Sequence, residues 1–250
     1  MKSTFYFLII ILFSTAGYAQ LIVNVENSRI QSNTTGWKGS IGTSFGLTKN
    51  VEQIINLNAN VHLQYKTKKD MYLFLANYNF LRGNNKELTN NMFYHLRYNR
   101  KFLGLIRWEA FTQWQQNNIT NIDLRALAGM GPRFKLHESK RVRLFAGVLA
   151  MYEHEVDKNP REVHNDVRSD NYISFTYKPN DIFDLTTTTF YQPLFRRFSD
   201  FRVLNQVSFN IKATRRLTLS VNWDYTYDAF PAIGTPKINY TLTNGFNYNF

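Results

Sequence analysis

Charged side chains recur within segments of the sequence that otherwise alternate between apolar and polar residues. If these charges faced one enclosed space, they could select anions or bind a polar solute. They could equally pair with one another and fill a narrow lumen, and this second interpretation is favoured for a barrel of about twelve strands. The candidate lumen-lining residues are Arg97, Arg107, Glu109, Arg125, Arg133, Arg143, Glu153, Arg202 and Asp224.

Histidine and carboxylate residues come closest together around His154. This residue stands between Glu153 and Glu155, and Glu162 and His164 follow along the chain. Imidazole and carboxylate groups are ligands for several divalent cations. Their spacing matches no compact ligand set, so the sequence predicts neither a metal site nor a cofactor.

The sequence gives little support for covalent catalysis. Its Gly-x-Ser-x-Gly segment, Gly42 to Gly46, lies within an alternating stretch and lacks the strand-then-helix context of a nucleophile elbow. The chain has no cysteine, which excludes disulfides, thiol catalysis and a cysteine-linked lipid anchor. Gly42 and Gly46 lack the lysine and the following helix of a phosphate-binding loop, and are better explained as strand residues. The sequence therefore predicts a non-catalytic protein.

Strands are the elements that would position the charged residues. Every second residue from Leu217 to Tyr227 is apolar, and the residues between them are Thr, Ser, Asn or Asp. Alternation of this kind puts the two sets on opposite faces of an extended strand. About twelve such stretches follow one another, an even number typical of bacterial membrane barrels.

The segment from Ile122 to Arg133 shows what constrains the phase of this pattern. Ile122, Leu124 and Met130 are predicted to face outward, and Asp123 and Arg125 inward. A slip by one residue would turn the charges outward, where an arginine in mid-bilayer costs roughly 2–4 kcal/mol. Consistent alternation over many strands therefore favours lipid outside the sheet and a polar interior.

The two ends of the chain carry export signals. Residues 1–19 have a lysine, an apolar core and small residues at the end, as in a signal peptide. We assign residues 20–35 to a periplasmic leader of uncertain placement and residues 36–250 to the barrel. The last strand ends on Phe250, a terminal aromatic residue of the kind that barrel-insertion machinery reads.

Loop lengths predict an orientation for this barrel. Residues 66–70 and 178–181 form tight breaks, whereas residues 157–165 and 229–236 form longer ones. Short periplasmic turns and longer outer loops are the pattern of outer-membrane barrels. The longer set is therefore expected on the outer side, with both chain termini in the periplasm.

Composition indicates the partners. The formal net charge is +12 and the mean hydropathy is −0.37, yet the chain holds 21 Phe and 15 Tyr residues. The basic residues are dispersed, which favours outer-membrane lipids and lipopolysaccharide as partners over nucleic acid. Trp37, Trp108, Trp114 and Trp223 are expected to anchor at the membrane interfaces.

Three segments carry a resemblance to a known family. They are Arg-Trp-Glu-Ala-Phe-Thr-Gln at 107–113, Leu-Ala-Gly-Met-Gly-Pro-Arg-Phe at 127–134, and Phe-Tyr-Gln-Pro at 190–193 with Asp-Phe-Arg at 200–202. The chain resembles the salt-induced outer membrane protein family, a domain family of unknown function. The resemblance implies an outer-membrane β-barrel and provides no catalytic residues.

Together these observations predict an all-β protein, a transmembrane antiparallel up-and-down β-barrel of about twelve strands. We expect a monomer in the bacterial outer membrane, inserted by the barrel-insertion machinery, with a structural envelope role or narrow solute passage. Two alternatives stay open. One is a lipase-like outer-membrane hydrolase, and the other is a secreted soluble β-barrel that binds a ligand.

Overall fold

Twelve antiparallel strands form a single sheet in the computed structural model, which describes residues 25, 26, 28, 29, 34–51, 53–214 and 217–248. Each strand pairs with its neighbours in sequence, so the sheet is an up-and-down meander. The predicted strand number and order are confirmed. The strands are β1 (Gly36–Lys49), β2 (Gln53–Lys66), β3 (Asp70–Gly83), β4 (Lys86–Leu103), β5 (Ile106–Asn117), β6 (Ile122–Glu138), β7 (Val142–Asp157), β8 (Val163–Tyr177), β9 (Phe183–Leu194), β10 (Arg197–Lys212), β11 (Leu217–Asp228) and β12 (Ile238–Tyr248).

Some sequence predictions fall outside these residues. The signal peptide at 1–19 and the terminal Phe250 are not among the described positions. Of the leader at 20–35, the structure describes residues 25, 26, 28, 29, 34 and 35. No helix within the described ranges is long and apolar enough to cross a membrane.

The sheet is strongly rolled. The Tyr172 hydroxyl of β8 donates to Glu109 of β5 at 2.5 Å, and Arg202 of β10 donates to Glu153 of β7 at 2.5 Å. Strands three apart would be separated by about 14 Å in a flat sheet. The concave face therefore curves around an interior that side chains cross, and we call it the inner face.

The seam between the first and last strands is open. Within the described part of the chain, β1 and β12 pair only with β2 and β11. Closure, which the barrel prediction implied, is thus not observed. The inner-face positions of β1 carry mostly small residues that could not pack across the interior to draw the edges together. These positions are Lys38, Ser40, Gly42, Ser44, Gly46 and Thr48.

One end of the sheet, which we call the terminal end, is where β1 begins and β12 finishes. The opposite end is called the far end. Its hairpin between β3 and β4 has only two residues, Asn84 and Asn85, with φ of 48° and 58°. This is the left-handed conformation of a type I′ turn, which asparagine tolerates.

The predicted asymmetry of loop lengths is wrong for most hairpins. The strands extend into segments that the sequence suggested were loops, so the far-end connection at 195–196 is as short as the terminal-end one at 104–105. Only residues 229–237 form a markedly longer loop at the far end. The strands reach nearly to the tips of the hairpins because the polar residues beside each turn also form backbone hydrogen bonds with the neighbouring strand.

The outer face carries aromatic rows near both ends. At the terminal end, Trp37, Tyr65, Tyr72 and Tyr98 lie on four successive strands with ring centroids 4.9, 6.3 and 5.0 Å apart. Near the far end, the rings of Tyr191, Phe201 and Tyr227 are spaced by 5.6 and 5.4 Å. Of the four predicted anchors, Trp37 lies in the terminal-end row, and the role of these tryptophans at a membrane interface stays a prediction.

The outer aromatic residues of β9 lie near both of its ends. Phe183 packs against Tyr177 and Phe209 near the terminal end, and Tyr191 lies in the far-end row. Eight residues of extended strand separate Phe183 from Tyr191 by about 27 Å along the strand. At the tilt of about 35–45° found in outer-membrane barrels, this is a height of about 20 Å, comparable to their apolar band of about 25 Å.

The middle of the inner face is apolar, where the sequence predicted a polar interior. Seven buried side chains from β5 to β10 pack together there: Phe111, Leu127, Leu149, Met151, Tyr172, Phe190 and Leu204. Ile122 is also fully buried, although it was expected to face outward. A register shift between Ile122 and Leu124 interrupts the alternation and explains this error.

Candidate functional site

All nine charged residues predicted to line the lumen lie on the inner side of the sheet. Six of them are buried: Arg97, Glu109, Arg125, Arg133, Glu153 and Arg202. Arg107 and Arg143 line a cavity at the terminal end. Asp224 is half-buried, on the face of β11 that also carries the buried Thr226 and Asp228. The functional role of these residues stays a prediction.

A buried ion cluster, which we call the terminal cluster, joins the leader to the wall. Arg97 Nη1 donates to Glu26 Oε1 at 2.7 Å, and Arg133 Nη1 donates to Glu26 Oε2. Arg29 Nε donates to Glu26 at 2.8 Å, and Arg29 Nη2 donates to Glu109. Two residues of the leader therefore sit among charges of β4, β5 and β6.

An apolar contact fixes the leader beside this cluster. Val25 is buried against Leu73, Leu75 and Phe93, which face inward from β3 and β4. The sequence predicted a periplasmic segment of uncertain placement. The structure instead places its described residues 25, 26, 28 and 29 within the mouth of the rolled sheet at the terminal end.

The wall supplies further hydrogen bonds around Glu109. Asn99 Nδ2 donates to Glu109 Oε1, and the Tyr172 hydroxyl donates to Oε2 at 2.5 Å. Arg133 Nη1 donates to the Tyr172 oxygen at 2.8 Å, which connects the two charged residues through one phenol. Such sharing lets a buried carboxylate satisfy both oxygens.

Glu26 is ionised in this setting. Burial alone raises the pKa of its carboxyl, but the guanidiniums of Arg133 and Arg29 outweigh burial, and the pKa lies below its ordinary value. Glu26 therefore acts as a fixed negative charge held between arginines.

A second buried cluster, the far cluster, centres on Glu153. Its Oε1 accepts from Arg125 Nε at 2.6 Å and from Arg202 Nη1 at 2.5 Å, and its Oε2 accepts from Arg168 Nε at 2.7 Å. Glu155 adds a second carboxylate, 3.2 Å from Arg125 Nε. One carboxylate thus ties together strands β6, β7, β8 and β10.

The three arginines of the far cluster also reach other carboxylates. Arg202 Nε donates to Asp228 at 2.7 Å, and Arg168 Nη1 donates to Asp200 at 3.0 Å. Arginine suits such shared sites because its planar fork can bond several acceptors at once. The charges are compensated locally within the interior.

Three cavities follow the inner face from one end to the other. A cavity of about 290 Å³ opens at the terminal end, and one of about 550 Å³ opens at the far end. Between them, the space bordered by His95, Arg97 and Phe111 measures only about 20 Å³. That is room for about one water molecule. Where strands β4 to β9 line the interior, a packed middle thus separates the two larger cavities.

The histidine-rich segment is arranged differently from its order in the sequence. Glu153 and Glu155 point inward, whereas His154 lies on the outer face and bonds Asn165 Oδ1 at 2.8 Å. At the far-end rim, Asp157, Glu162 and His164 bring one ligand atom each within 4.8 Å of one another. The expectation of no metal site stays a prediction.

Sequence reasoning missed several members of the two clusters. Arg168 and Tyr172 share the inner face of β8 with Asp166 and Asp170, and alternation with outward Val167, Ile173 and Phe175 could have placed them. Glu26 and Arg29 could not be placed in this way. They lie outside any strand, and only the folded sheet brings them to their partners.

Comparison with known proteins gives a family and distant structural likenesses. A family profile described as protein of unknown function, DUF481, matches residues 41–250. No curated protein matches the sequence. The NanC porin structure is 12% identical with a TM-score of 0.48, covering 86% of this chain and 98% of that one.

Two further structures are similar at the same level. The translocator domain of the autotransporter NalP from Neisseria meningitidis is 10% identical, with a TM-score of 0.44 and coverage of 90% of this chain and 92% of that one. The Pseudomonas putida toluene transporter TodX is 7% identical, with a TM-score of 0.41 and coverage of 86% and 79%. Likenesses this distant carry no conclusion about the activity of this chain.

Proposed function

Because the chain belongs to the DUF481 family, whose function is unknown, we propose a role from its own geometry: a non-catalytic, lumen-occluded barrel protein of the bacterial outer membrane. The observation that carries the location is the belt of exposed apolar side chains around the outer face. Met130, Val148 and Ile173 lie in it at mid-strand and are 56%, 51% and 57% exposed.

Water is a poor solvent for such a belt. Soluble monomers rarely expose contiguous apolar patches beyond a few hundred Å². Here the belt extends over the outer faces of most strands and includes an apolar groove of about 530 Å³ beside Met130 and Ala128. Hydrocarbon outside the sheet accounts for this surface, and it argues against the secreted soluble alternative.

The packed interior supports an occluded resting state. Six of the nine predicted inner charges are engaged in the terminal and far clusters, and the space between the two larger cavities holds about one water. We therefore favour a structural role in the envelope, with solute passage only after both the terminal cluster and the packed middle rearrange.

Charge at the far end supports lipopolysaccharide as a partner. Arg161 and Arg196 are exposed there, beside the far-end cavity. Guanidinium groups pair well with phosphate. Outer-membrane lipids would contact the belt between the two aromatic rows, and the barrel-insertion machinery would place a monomer in the bilayer.

A hydrolase is the second candidate, and one feature of the register bears on it. Ser40 stands directly opposite His62 on neighbouring strands. His62 Nε2 is buried and makes no hydrogen bond with any described residue. This geometry leaves the serine unactivated. Release of fatty acid by the purified protein, lost in Ser40→Ala, would overturn the non-catalytic proposal.

Fractionation and conductance test the main proposal. The protein should co-sediment with outer membranes and migrate differently on gels before and after heating. In a planar bilayer, the wild-type protein should show little or no steady conductance in simple salts. A soluble periplasmic product would refute the location, and a large constitutive conductance would refute the occlusion.

A further inference from the structure

The terminal cluster contains a carboxylate that does not belong to the wall. Glu26 comes from the leader, and its two oxygens bond Arg97 and Arg133 on β4 and β6. Its geometry is that of a small carboxylate ligand held between two guanidiniums. In this structure, Glu26 therefore occupies the position on the inner wall that a free carboxylate ligand would take.

When Glu26 leaves its position, the arginines of the inner wall lack a compensating negative charge. Arg97 and Arg133 supply two positive charges to the wall. Glu109, which also loses its bond to Arg29 when the leader withdraws, supplies one negative charge in contact with them. The nearby Asp170 accepts from Gln192 Nε2 at 2.7 Å and makes no such bond to either arginine. A buried charge without its partner is costly. Withdrawal of Glu26 thus favours entry of an outside anion.

Arg133 has donor capacity that the leader does not use. Its side chain is 4% exposed, and its Nε is buried without a hydrogen-bond partner. Its Nη1 serves both Glu26 and the Tyr172 hydroxyl. A free carboxylate, not tethered to a backbone, could approach the guanidinium fork and use this orphan donor.

The terminal-end cavity leads to this position from outside. Glu26, Arg29 and Arg133 form part of its lining, and the remaining charged lining is mostly basic. A chamber with one predominant sign of charge concentrates oppositely charged solutes. The cavity of about 290 Å³ is lined further by Lys66, Lys69, Asp70, Lys101, Arg107, Glu138 and Arg143.

We propose that Arg97 and Arg133 form a binding site for small carboxylate solutes, that Glu26 occupies it in the resting protein, and that a solute entering through the terminal-end cavity replaces Glu26. The leader is then both the competitor for the site and the plug of the terminal end. This inference rests on the proposed occluded lumen and names the chemistry that would displace the leader from its terminal end.

Binding to the full-length protein in detergent micelles tests the site without reference to the membrane. Sodium glucuronate is titrated by calorimetry, with glucose as the uncharged comparison. Glu26→Gln removes the internal competitor, so glucuronate should bind about 10- to 100-fold more tightly than to wild type. Adding Arg133→Met to this variant should abolish the gain.

Two control variants separate a specific site from general electrostatics. Glu138→Gln removes the same charge from the same cavity, but this side chain is 41% exposed and does not contact Arg97 or Arg133. It should leave glucuronate affinity within about 2-fold of wild type. Glu26→Asp keeps the charge and should retain weak, wild-type-like binding. Equal gains from Glu26→Gln and Glu138→Gln would overturn the inference.

A measurement on the wild-type chain covers the case in which Glu26→Gln does not fold. Trypsin cleaves after arginine, and Arg29 is protected by its contacts with Glu26 and Glu109. Saturating glucuronate should accelerate cleavage at Arg29 at least 5-fold over glucose, because the leader leaves the mouth. Unchanged cleavage, together with glucuronate binding no tighter than glucose, would refute the carboxylate site and leave the membrane location intact.

Discussion

Neutralising Glu153 tests whether paired charges hold the rolled sheet together. Glu153→Gln keeps the shape of the side chain and removes its charge. In the native protein this carboxylate accepts from Arg125, Arg168 and Arg202 at 2.6, 2.7 and 2.5 Å. The variant leaves three buried guanidiniums around an amide, whose NH₂ group would face other donors.

The size of the effect follows from these contacts. Hydrogen bonds to charged groups contribute about 1.5–3 kcal/mol each, but contributions within one network do not add. Glu155, 3.2 Å from Arg125 Nε, would take over part of the pairing. Breaking a buried ion pair by removing one partner costs about 3–5 kcal/mol, and we expect Glu153→Gln to lower the free energy of unfolding by this amount.

Denaturant unfolding of the protein in micelles measures this change. Glu162→Gln serves as the control because it lies at the same end, is 47% exposed and should change stability by less than about 1 kcal/mol. The double variant Glu153→Gln/Arg202→Met should lose less than the sum of its single variants, since one stranded guanidinium is removed. If Glu153→Gln lowered the free energy of unfolding by less than about 1 kcal/mol, the far cluster would not stabilise the rolled sheet.

Three further substitutions test the outer face, the interior and a hairpin. Met130→Arg, at a mid-strand position that is 56% exposed, should cost about 2–4 kcal/mol in lipid, whereas Leu105→Arg in a terminal-end hairpin should cost about 0–1 kcal/mol; equal small losses in both would contradict a hydrocarbon surround. In Gly147→Ala, a Cβ would stand 2.1 Å from a tyrosine ring of β8, so thermal unfolding should show a loss of about 1–3 kcal/mol, while Gly245→Ala, with nothing within 4 Å, is the neutral comparison. Asn85→Ala, at φ 58°, should lose about 1–2 kcal/mol in denaturant titration and Asn85→Gly should not; identical stabilities would exclude turn strain as the reason for the asparagine.

The sequence was sufficient to predict the strands and the direction in which most side chains point. A charged side chain that faces lipid costs free energy, so the alternation persists along nearly the whole chain. Arg125 and Arg133 were placed inward on this argument, and both are buried on the inner face. The two-residue period can be read from a single segment, without knowing which strands pair with it.

Information that depends on strands far apart in sequence could not be obtained in the same way. The bulge at Ile122 shows the limit, because a register shift is set by the neighbouring strand β7. The seating of Glu26 on Arg97 and Arg133 depends on how tightly the sheet rolls. Apolar filling at mid-lumen was missed because an inward leucine such as Leu127 looks like an exception to the pattern until Phe111 and Met151 are seen beside it.

Because the edges of β1 and β12 are unpaired, closure of the sheet depends on whether water or lipid surrounds them. Each edge presents backbone N–H and C=O groups to its surroundings, and water satisfies them at little cost. Hydrocarbon does not, since an unsatisfied backbone group there costs several kcal/mol. The 11 residues of β12 would then gain most by joining β1 at the moment when lipid replaces water. Membrane insertion and pairing of β12 with β1 would then occur together. A chain that remained outside the bilayer would keep two unpaired edge strands, which could pair with other copies and cause aggregation.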